Sequence, residues 1–161
     1  MKVEYINPFI ASVYNLFSTM LGCEARRTDI GVSQSVTDPG DITALIGMSG
    51  HERGTAILSF PKATAVAMAR RMFSAESETV DATVLDAVAE IVNIVAGGAK
   101  AQLTPDGEEP MRLSLPTVVR GRDYSVGHPG QSQWVTVGFE SPLGGFSLWI
   151  TFESNGRKGG R

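Results

Sequence analysis

The sequence predicts an α+β domain in which about three helices pack on one face of an antiparallel β-sheet. Three observations support this fold class. Apolar residues recur at helical spacing near the start and in the middle of the chain, whereas they alternate in segments between and after these helices. Short polar loops join consecutive strand segments, as in antiparallel hairpins. Helices and strands are therefore grouped along the chain, which is typical of α+β folds.

Length and composition indicate one globular domain. The 161 residues suit a single domain over 1–153, with a flexible tail over 154–161. The net charge is -3, and the only basic cluster lies in that tail, so nucleic acid is not expected as a partner. The amino terminus lacks the apolar core of a signal peptide. Cys23 is the single cysteine, which excludes an intrachain disulfide and fits a reducing compartment.

No membrane partner is expected either. The longest apolar stretches are interrupted by charged or amide side chains such as Asp86, Glu90 and Asn93, and none reaches the ~20 residues that cross a bilayer. We therefore expect a soluble protein of the cytoplasm.

The first helix is predicted to open at Asn7, as the N-cap, with Pro8 at the first helical position. Its apolar stripe consists of Ile10, Val13, Tyr14, Phe17 and Leu21. Gly22 follows this stripe, and glycine suits the left-handed position that ends a helix. Strands are then predicted over 30–36, 42–48 and 54–60, with a turn at 38–41 and a hairpin loop at 49–52.

The second half of the chain repeats this order of helices and strands. A second helix is predicted over 61–73, with Val66, Ala69, Met72 and Phe73 on one side. A third and longest helix is predicted over 81–103. Strands follow over 111–119, 134–139 and 146–152, separated by turns at 127–130 and 141–145.

The third helix has two distinct faces on a helical wheel. Its core-facing stripe is formed by Val84, Val88, Ile91, Val95 and Ala99, widened by Val92 and Leu85. The opposite side carries Asp86, Glu90, Asn93 and Gly97 within roughly 60°. Thr83, Ala87, Ile94 and Ala101 lie along one flank of that polar face and could frame a docking surface.

An ordinary solvated face would account for the polarity of this side, and that alternative stays open. Such faces usually carry good helix formers, however, whereas Asn93 and Gly97 are poor ones, and Gly98 adds a second glycine. A glycine on an exposed face also removes side-chain bulk, so that another protein surface can approach closely.

The spacing Asp86-x-x-x-Glu90-x-x-Asn93, followed by twenty-two residues and then Pro116, resembles the signature of the CheC, CheX and FliY phosphatases. The opening segment 5–9 and the segment 90–100 are also similar to CheX-type members. CheC-type members have two such motifs. Here the second E-x-x-N, from Glu4 to Asn7, is followed at once by Pro8 and straddles a helix start, so the chain is more similar to the CheX type.

The resemblance implies an enzyme that hydrolyses the aspartyl-phosphate of a CheY-like response regulator. It assigns the orientation of the attacking water to Asn93 and pairing with the receiver's active-site lysine to Glu90. Asp86 would support Glu90, Gly97 would leave room for the partner, and Pro116 would shape the adjoining strand. The resemblance implies no cofactor of the chain's own, Mg²⁺ on the partner receiver, and a homodimer through sheet edges.

Two rival functions remain at this stage. A non-catalytic receiver-binding module, related to flagellar switch proteins, would bind the partner without changing the decay of its phosphoryl group. A sensory domain would need a sizeable closed pocket for a small ligand. A metalloenzyme is disfavoured, because two separated histidines and one cysteine give no metal-ligand spacing.

Overall fold

The structure is a computed structural model that describes residues 3–37, 39–127 and 133–153. Its helices are α1 (Ile6–Leu16), α2 (Lys62–Phe73) and α3 (Ala82–Leu103). A 3₁₀ turn over Val3–Tyr5 precedes α1, and a π-helical turn over Phe17–Leu21 extends it. Residues 128–130 of the predicted turn at 127–130, Asp38 of the turn at 38–41 and the tail at 154–161 lie outside the described residues.

The strands form one antiparallel sheet. They are β1 (Arg26–Ser33), β2 (Ile42–Ser49), β3 (Arg53–Phe60), β4 (Arg112–Leu113), β5 (Thr117–Arg120), β6 (Trp134–Glu140) and β7 (Phe146–Glu153). The order across the sheet is β1-β6-β7-β3-β2-β4, and β5 pairs with β2 next to β4. The predicted α+β fold with three helices is confirmed.

The first helix starts earlier than predicted. The 3₁₀ turn already gives Tyr5 helical backbone angles, so α1 begins at Ile6 and Asn7 lies inside its first turn. The N-cap prediction for Asn7 is therefore wrong. Pro8 remains acceptable because the first helical N–H groups need no partner within the helix. The end of the helix is as predicted, with Gly22 in the left-handed conformation at φ 67°.

The central hairpin of β2 and β3 is confirmed, with Ile42 opposite Phe60 and Met48 opposite Gly54. The single strand predicted over 111–119 is instead two short strands that share β2 as their partner. Ser114 causes the break: its Oγ accepts a hydrogen bond from Gly47 N at 2.8 Å, and its own N–H donates to Gly47 O at 2.9 Å. Pro116, which has no N–H to donate, follows two residues later.

The main core lies between the helices and one face of the sheet. Its centre is aromatic: Phe146 stacks on Phe17, Phe60 and Phe139 with ring centroids 5.1 to 5.5 Å apart. The stripe predicted for α2 is displaced around the helix. The buried residues of α2 are Thr64, Ala65, Met68 and Ala69, whereas Phe73 is 48% exposed.

A smaller apolar cluster covers part of the other face of the sheet. Val36, Ile57 and Trp134 are fully buried there, next to the half-buried Trp149. Val36 and Val126 exchange two backbone hydrogen bonds of 2.9 Å, which hold the segments around them over this face. The sheet is thus covered on both sides near its middle, and among the described residues the edge strand β1 pairs with β6 only.

Candidate active site

The helix that carries the candidate site has well-defined ends. The Asp81 side chain accepts hydrogen bonds from Ser77 Oγ at 2.8 Å and from Val84 N at 3.0 Å, which is the N-cap arrangement. These two bonds, that of Ser77 first, hold the pKa of Asp81 below its ordinary value. At the other end Thr104 leaves helical geometry, and its Oγ1 donates to Lys100 O.

The predicted apolar stripe of α3 is confirmed. The five residues of the stripe are all buried: Val84, Val88, Ile91, Val95 and Ala99. Val92 is also buried, and Leu85 is half-buried. Length and composition alone would also let α3 cross a bilayer, since its mean hydropathy reaches 1.5, contrary to the expectation above. Burial of this stripe in the core accounts for that hydropathy, because core helices have the same composition.

The opposite face of α3 presents the predicted site residues. Asp86 and Glu90 are exposed, and Asn93 is half-buried. Within one continuous helix, Glu90 and Asn93 are separated by about 4.5 Å along the axis and lie on adjacent turns. Among the described residues, no hydrogen bond or ion pair engages these three side chains, so their polar atoms are available to another molecule.

The two neighbouring glycines of α3 have different surroundings. A Cβ added at Gly97 would meet no atom within 4 Å, so the surface above Gly97 is open. A Cβ added at Gly98 would overlap Ser12 Oγ of α1 and lie 3.3 Å from Ser12 Cβ. Gly97 therefore belongs to the open face, as predicted, whereas Gly98 permits close packing of α1 against α3.

The flank of the candidate site differs in part from the prediction. Thr83 and Ala101 are exposed and Ile94 is half-buried, so these side chains are accessible beside the polar face. Ala87 is fully buried and cannot frame a docking surface. It lies closer to the buried stripe on the helical wheel than the other three, which explains its burial.

Pro116 lies at the start of β5 and is half-buried. Both strands beside it, β4 and β5, contact α3. Leu115, immediately before Pro116, is 90% exposed, which makes it the most exposed large apolar residue among those described. Pro116 thus ends the irregular segment that flanks the helix carrying Glu90 and Asn93.

Four depressions formed by described residues are open surface grooves, with volumes of about 570 to 640 Å³. No three His, Cys, Asp or Glu side chains in the described ranges come together as a metal site would need. One groove carries cationic side chains that the sequence did not single out: Lys62 and Arg70 of α2 and Arg120 of β5.

Comparison with solved structures identifies the class of protein, which is the CheC-like superfamily. Over 95% of this chain and 99% of the other, the structure matches the crystal structure of a CheC-like superfamily protein from Shewanella sp. PV-4, with a TM-score of 0.83 and 31% sequence identity. The fold also matches the crystal structure of the CheX-CheY-BeF3-Mg²⁺ complex from Borrelia burgdorferi, with a TM-score of 0.72 and 21% sequence identity. This match covers 94% of this chain and 99% of the other.

Sequence comparison narrows this class to one family. Residues 42–140 match the family model for the chemotaxis phosphatase CheX. The CheY-P phosphatase CheX of Thermotoga maritima is 29% identical over 127 residues, which cover 78% of this chain and 81% of that protein. The chain belongs to the CheX family of chemotaxis phosphatases.

Proposed function

We propose that this chain dephosphorylates the aspartyl-phosphate of a CheY-like response regulator, with Glu90 and Asn93 as the catalytic pair. The observation that carries the proposal is the position of this pair on adjacent turns of α3, turned away from the buried stripe and free of internal hydrogen bonds among the described residues. Two such side chains can enter the active site of a second protein without any unfolding of their own.

Asn93 would position the attacking water. Its carboxamide has both a donor and an acceptor and does not titrate, so it can hold a water molecule in line with the phosphorus over a wide pH range. Little covalent chemistry is required of a protein in phosphoryl transfer, because positioning and charge stabilisation supply most of the rate. A half-buried carboxamide on a rigid helix suits this task.

Glu90 would pair with a lysine of the receiver and thereby fix the docking register. The exposed carboxylate of Glu90 lies one turn from Asn93, so a pairing at Glu90 also sets the position of the Asn93 amide. We place the Mg²⁺ on the receiver, as the Borrelia complex, which contains CheY and Mg²⁺, supports. Asp86, one turn before Glu90, would support its carboxylate electrostatically, Gly97 would let the partner surface approach, and Pro116 would fix the neighbouring segment.

The test is the decay of a CheY-like receiver phosphorylated with acetyl phosphate, with and without the protein. The wild type is expected to accelerate phosphate release, and Asn93→Ala is expected to lower the rate about 100-fold while its thermal unfolding stays unchanged. Normal turnover by Asn93→Ala would exclude the proposed role. Binding of the phospho-receiver with no change in its decay would favour the alternative, a non-catalytic receiver-binding module.

A second copy of the chain is the other partner we propose, in a homodimer through sheet edges. The open edge of β1 supports this proposal. Ile30 and Val32 of β1 are 43% and 58% exposed, although they pair with Val137 and Val135, which are buried in the main core. Exposed apolar residues on an unpaired edge strand favour pairing with another chain.

We also propose that the protein is located in the cytoplasm. Cys23, a free thiol, supports this location, because the cytoplasm is a reducing compartment.

A further inference from the structure

We propose that the cationic groove formed by Lys62, Arg70 and Arg120 is a second docking point for the receiver and binds acidic side chains on its surface. This inference rests on the proposed function and extends it from the catalytic pair to a separate element. We call this site the cationic groove below.

The cationic groove is built by three segments that are distant in sequence. One face of α2 contributes Lys62, Val66 and Arg70, which are four residues apart and therefore line one side of the helix. Arg120 comes from the end of β5, and Val80 comes from the linker that leads into α3. The groove has a volume of about 580 Å³, and its lining combines apolar surface with charged side chains.

The positive charge of the cationic groove is only partly compensated. Three cations and one carboxylate, that of Glu78, give its lining a net charge of +2, whereas the whole chain has a net charge of -3. Within the described ranges, Lys62, Arg70 and Arg120 form no ion pair. The carboxylate of Asp41 is occupied elsewhere, by the backbone N–H of Lys62 at 2.9 Å and by Arg122 at 3.4 Å.

The position of the cationic groove fits a docked receiver. Val80 lines the groove two residues before α3 begins, and Glu90 follows Ala82, the first residue of α3, by eight residues, so Glu90 lies about 12 Å along the helix axis from the end of α3 that adjoins Val80. A domain of 100 to 150 residues has a radius of gyration of about 13 to 15 Å. One receiver seated on Glu90 and Asn93 is therefore wide enough to reach the groove as well.

Charge complementarity selects the acidic partner. The exposed carboxylates of Asp86 and Glu90 would bind cationic groups of the receiver. The cationic groove would bind carboxylates of the receiver at a second point. Opposite charges at two separated points define one orientation of the partner and raise its association rate. The groove would thus act on binding and orientation, and not on the chemical step.

The experiment compares Arg70→Glu/Arg120→Glu with a control of equal charge change, Arg26→Glu/Arg53→Glu, on exposed residues of β1 and β3. Dissociation constants are measured for a receiver charged with beryllofluoride and Mg²⁺ at several salt concentrations. We expect the groove variant to bind about tenfold more weakly or worse and with a reduced salt dependence, while the control retains wild-type affinity. At saturating phospho-receiver the groove variant should keep the wild-type turnover rate.

The outcomes separate this inference from the proposed function. If the wild-type protein binds the phosphorylated receiver but does not accelerate hydrolysis of its aspartyl-phosphate, the phosphatase proposal is wrong. The docking point can still be tested in that case, because the affinity of the groove variant is measured by binding. Wild-type affinity and salt dependence in the groove variant, or an equal loss in the control, would overturn the docking point. A groove that binds inorganic phosphate, and whose variant leaves receiver affinity unchanged, would also overturn it, because the occupant would then be a small anion.

Discussion

Gly98 of α3 lies against Ser12 of α1 so closely that a methyl group at Gly98 would overlap the Ser12 hydroxyl. The helix that carries Glu90 and Asn93, the proposed catalytic pair, thereby packs closely against α1 near its carboxy-terminal end. Gly97, one residue earlier, has open space above it. The chain thus offers a matched pair of adjacent glycines whose substitutions should have opposite effects.

Gly98→Ala should lower the free energy of unfolding by up to about 2 kcal/mol, because the overpacking that displaces the Ser12 side chain costs about 1 to 3 kcal/mol and the better helix propensity of alanine offsets about 1 kcal/mol of that cost. Gly97→Ala should raise it by about 1 kcal/mol, since alanine is the better helix former and meets no obstacle. Urea denaturation measures both. Removing the hydroxyl, in Ser12→Ala/Gly98→Ala, should recover part of the loss, and no recovery would show that the clash lies elsewhere.

Gly97→Leu should not lower stability, because leucine is also a better helix former than glycine, and it should lower kcat/KM for the phospho-receiver about tenfold, because the added side chain fills the space that we propose for the partner. Gly97→Ala is the control, with a smaller effect on kcat/KM. If Gly97→Leu hydrolyses the phospho-receiver at the wild-type rate, the open surface above this glycine is not part of the docking face.

Glu90→Gln should weaken receiver binding and turnover together, because the amide keeps the size of the side chain but loses its charge. We expect kcat/KM to fall by about tenfold or more, measured by phosphate release at several receiver concentrations. Asp86→Asn, the same change one turn earlier, should have a smaller effect. An equal loss in both variants would indicate that general charge, and not a specific pairing at Glu90, attracts the receiver.

The N-cap of α3 should make part of the stability depend on pH. The folded-state pKa of Asp81 lies below its ordinary value, so its contribution is fully present above the unfolded pKa. It is lost as the pH falls through the folded pKa. Asp81→Asn retains the acceptor for Val84 N but cannot titrate. Thermal unfolding should therefore show the wild type losing stability relative to Asp81→Asn as the pH falls below the ordinary aspartate range.

Asp81→Ala is the companion variant. It should melt at a lower temperature than both other proteins at neutral pH, because the cap itself is gone. Equal pH profiles for the wild type and Asp81→Asn would mean that the carboxylate charge contributes nothing to folding.

Val32→Lys tests the proposed homodimer. A charged side chain in the exposed part of β1 should disfavour pairing with a second edge strand and shift the protein to monomer in analytical ultracentrifugation. Leu115→Lys, at a residue that is 90% exposed outside the strands, is the control and should not change the oligomeric state. A wild type that sediments as a monomer would exclude the dimer.

Local patterns in the sequence predicted most of the fold. The stripe of α3 and the hairpin of β2 and β3 are fixed by hydrophobic periodicity and turn residues, which are visible in one segment at a time. The face with Glu90, Asn93 and Gly97 was found in the same way, because burial of one side of a helix dictates the other.

Some of the errors arose where a distant segment decides the local structure. The break between β4 and β5 depends on two hydrogen bonds between Ser114 and Gly47, 67 residues away: Gly47 N donates to Ser114 Oγ, and Ser114 N donates to Gly47 O. The role of Gly98 depends on Ser12 in another helix. The cationic groove could not be predicted at all, since Arg120 joins α2 only through the folded topology.

The two faces of α3 have one further consequence. Folding depends on the valine-rich side, whereas the proposed chemistry depends on two side chains that no described part of the core contacts through a hydrogen bond. A single mutation at Asn93 could therefore silence hydrolysis and leave a stable protein that still captures its receiver. In a cell such a variant would sequester the phosphorylated receiver without dephosphorylating it. One substitution could thus convert a protein that terminates the signal into one that holds the receiver in its phosphorylated state.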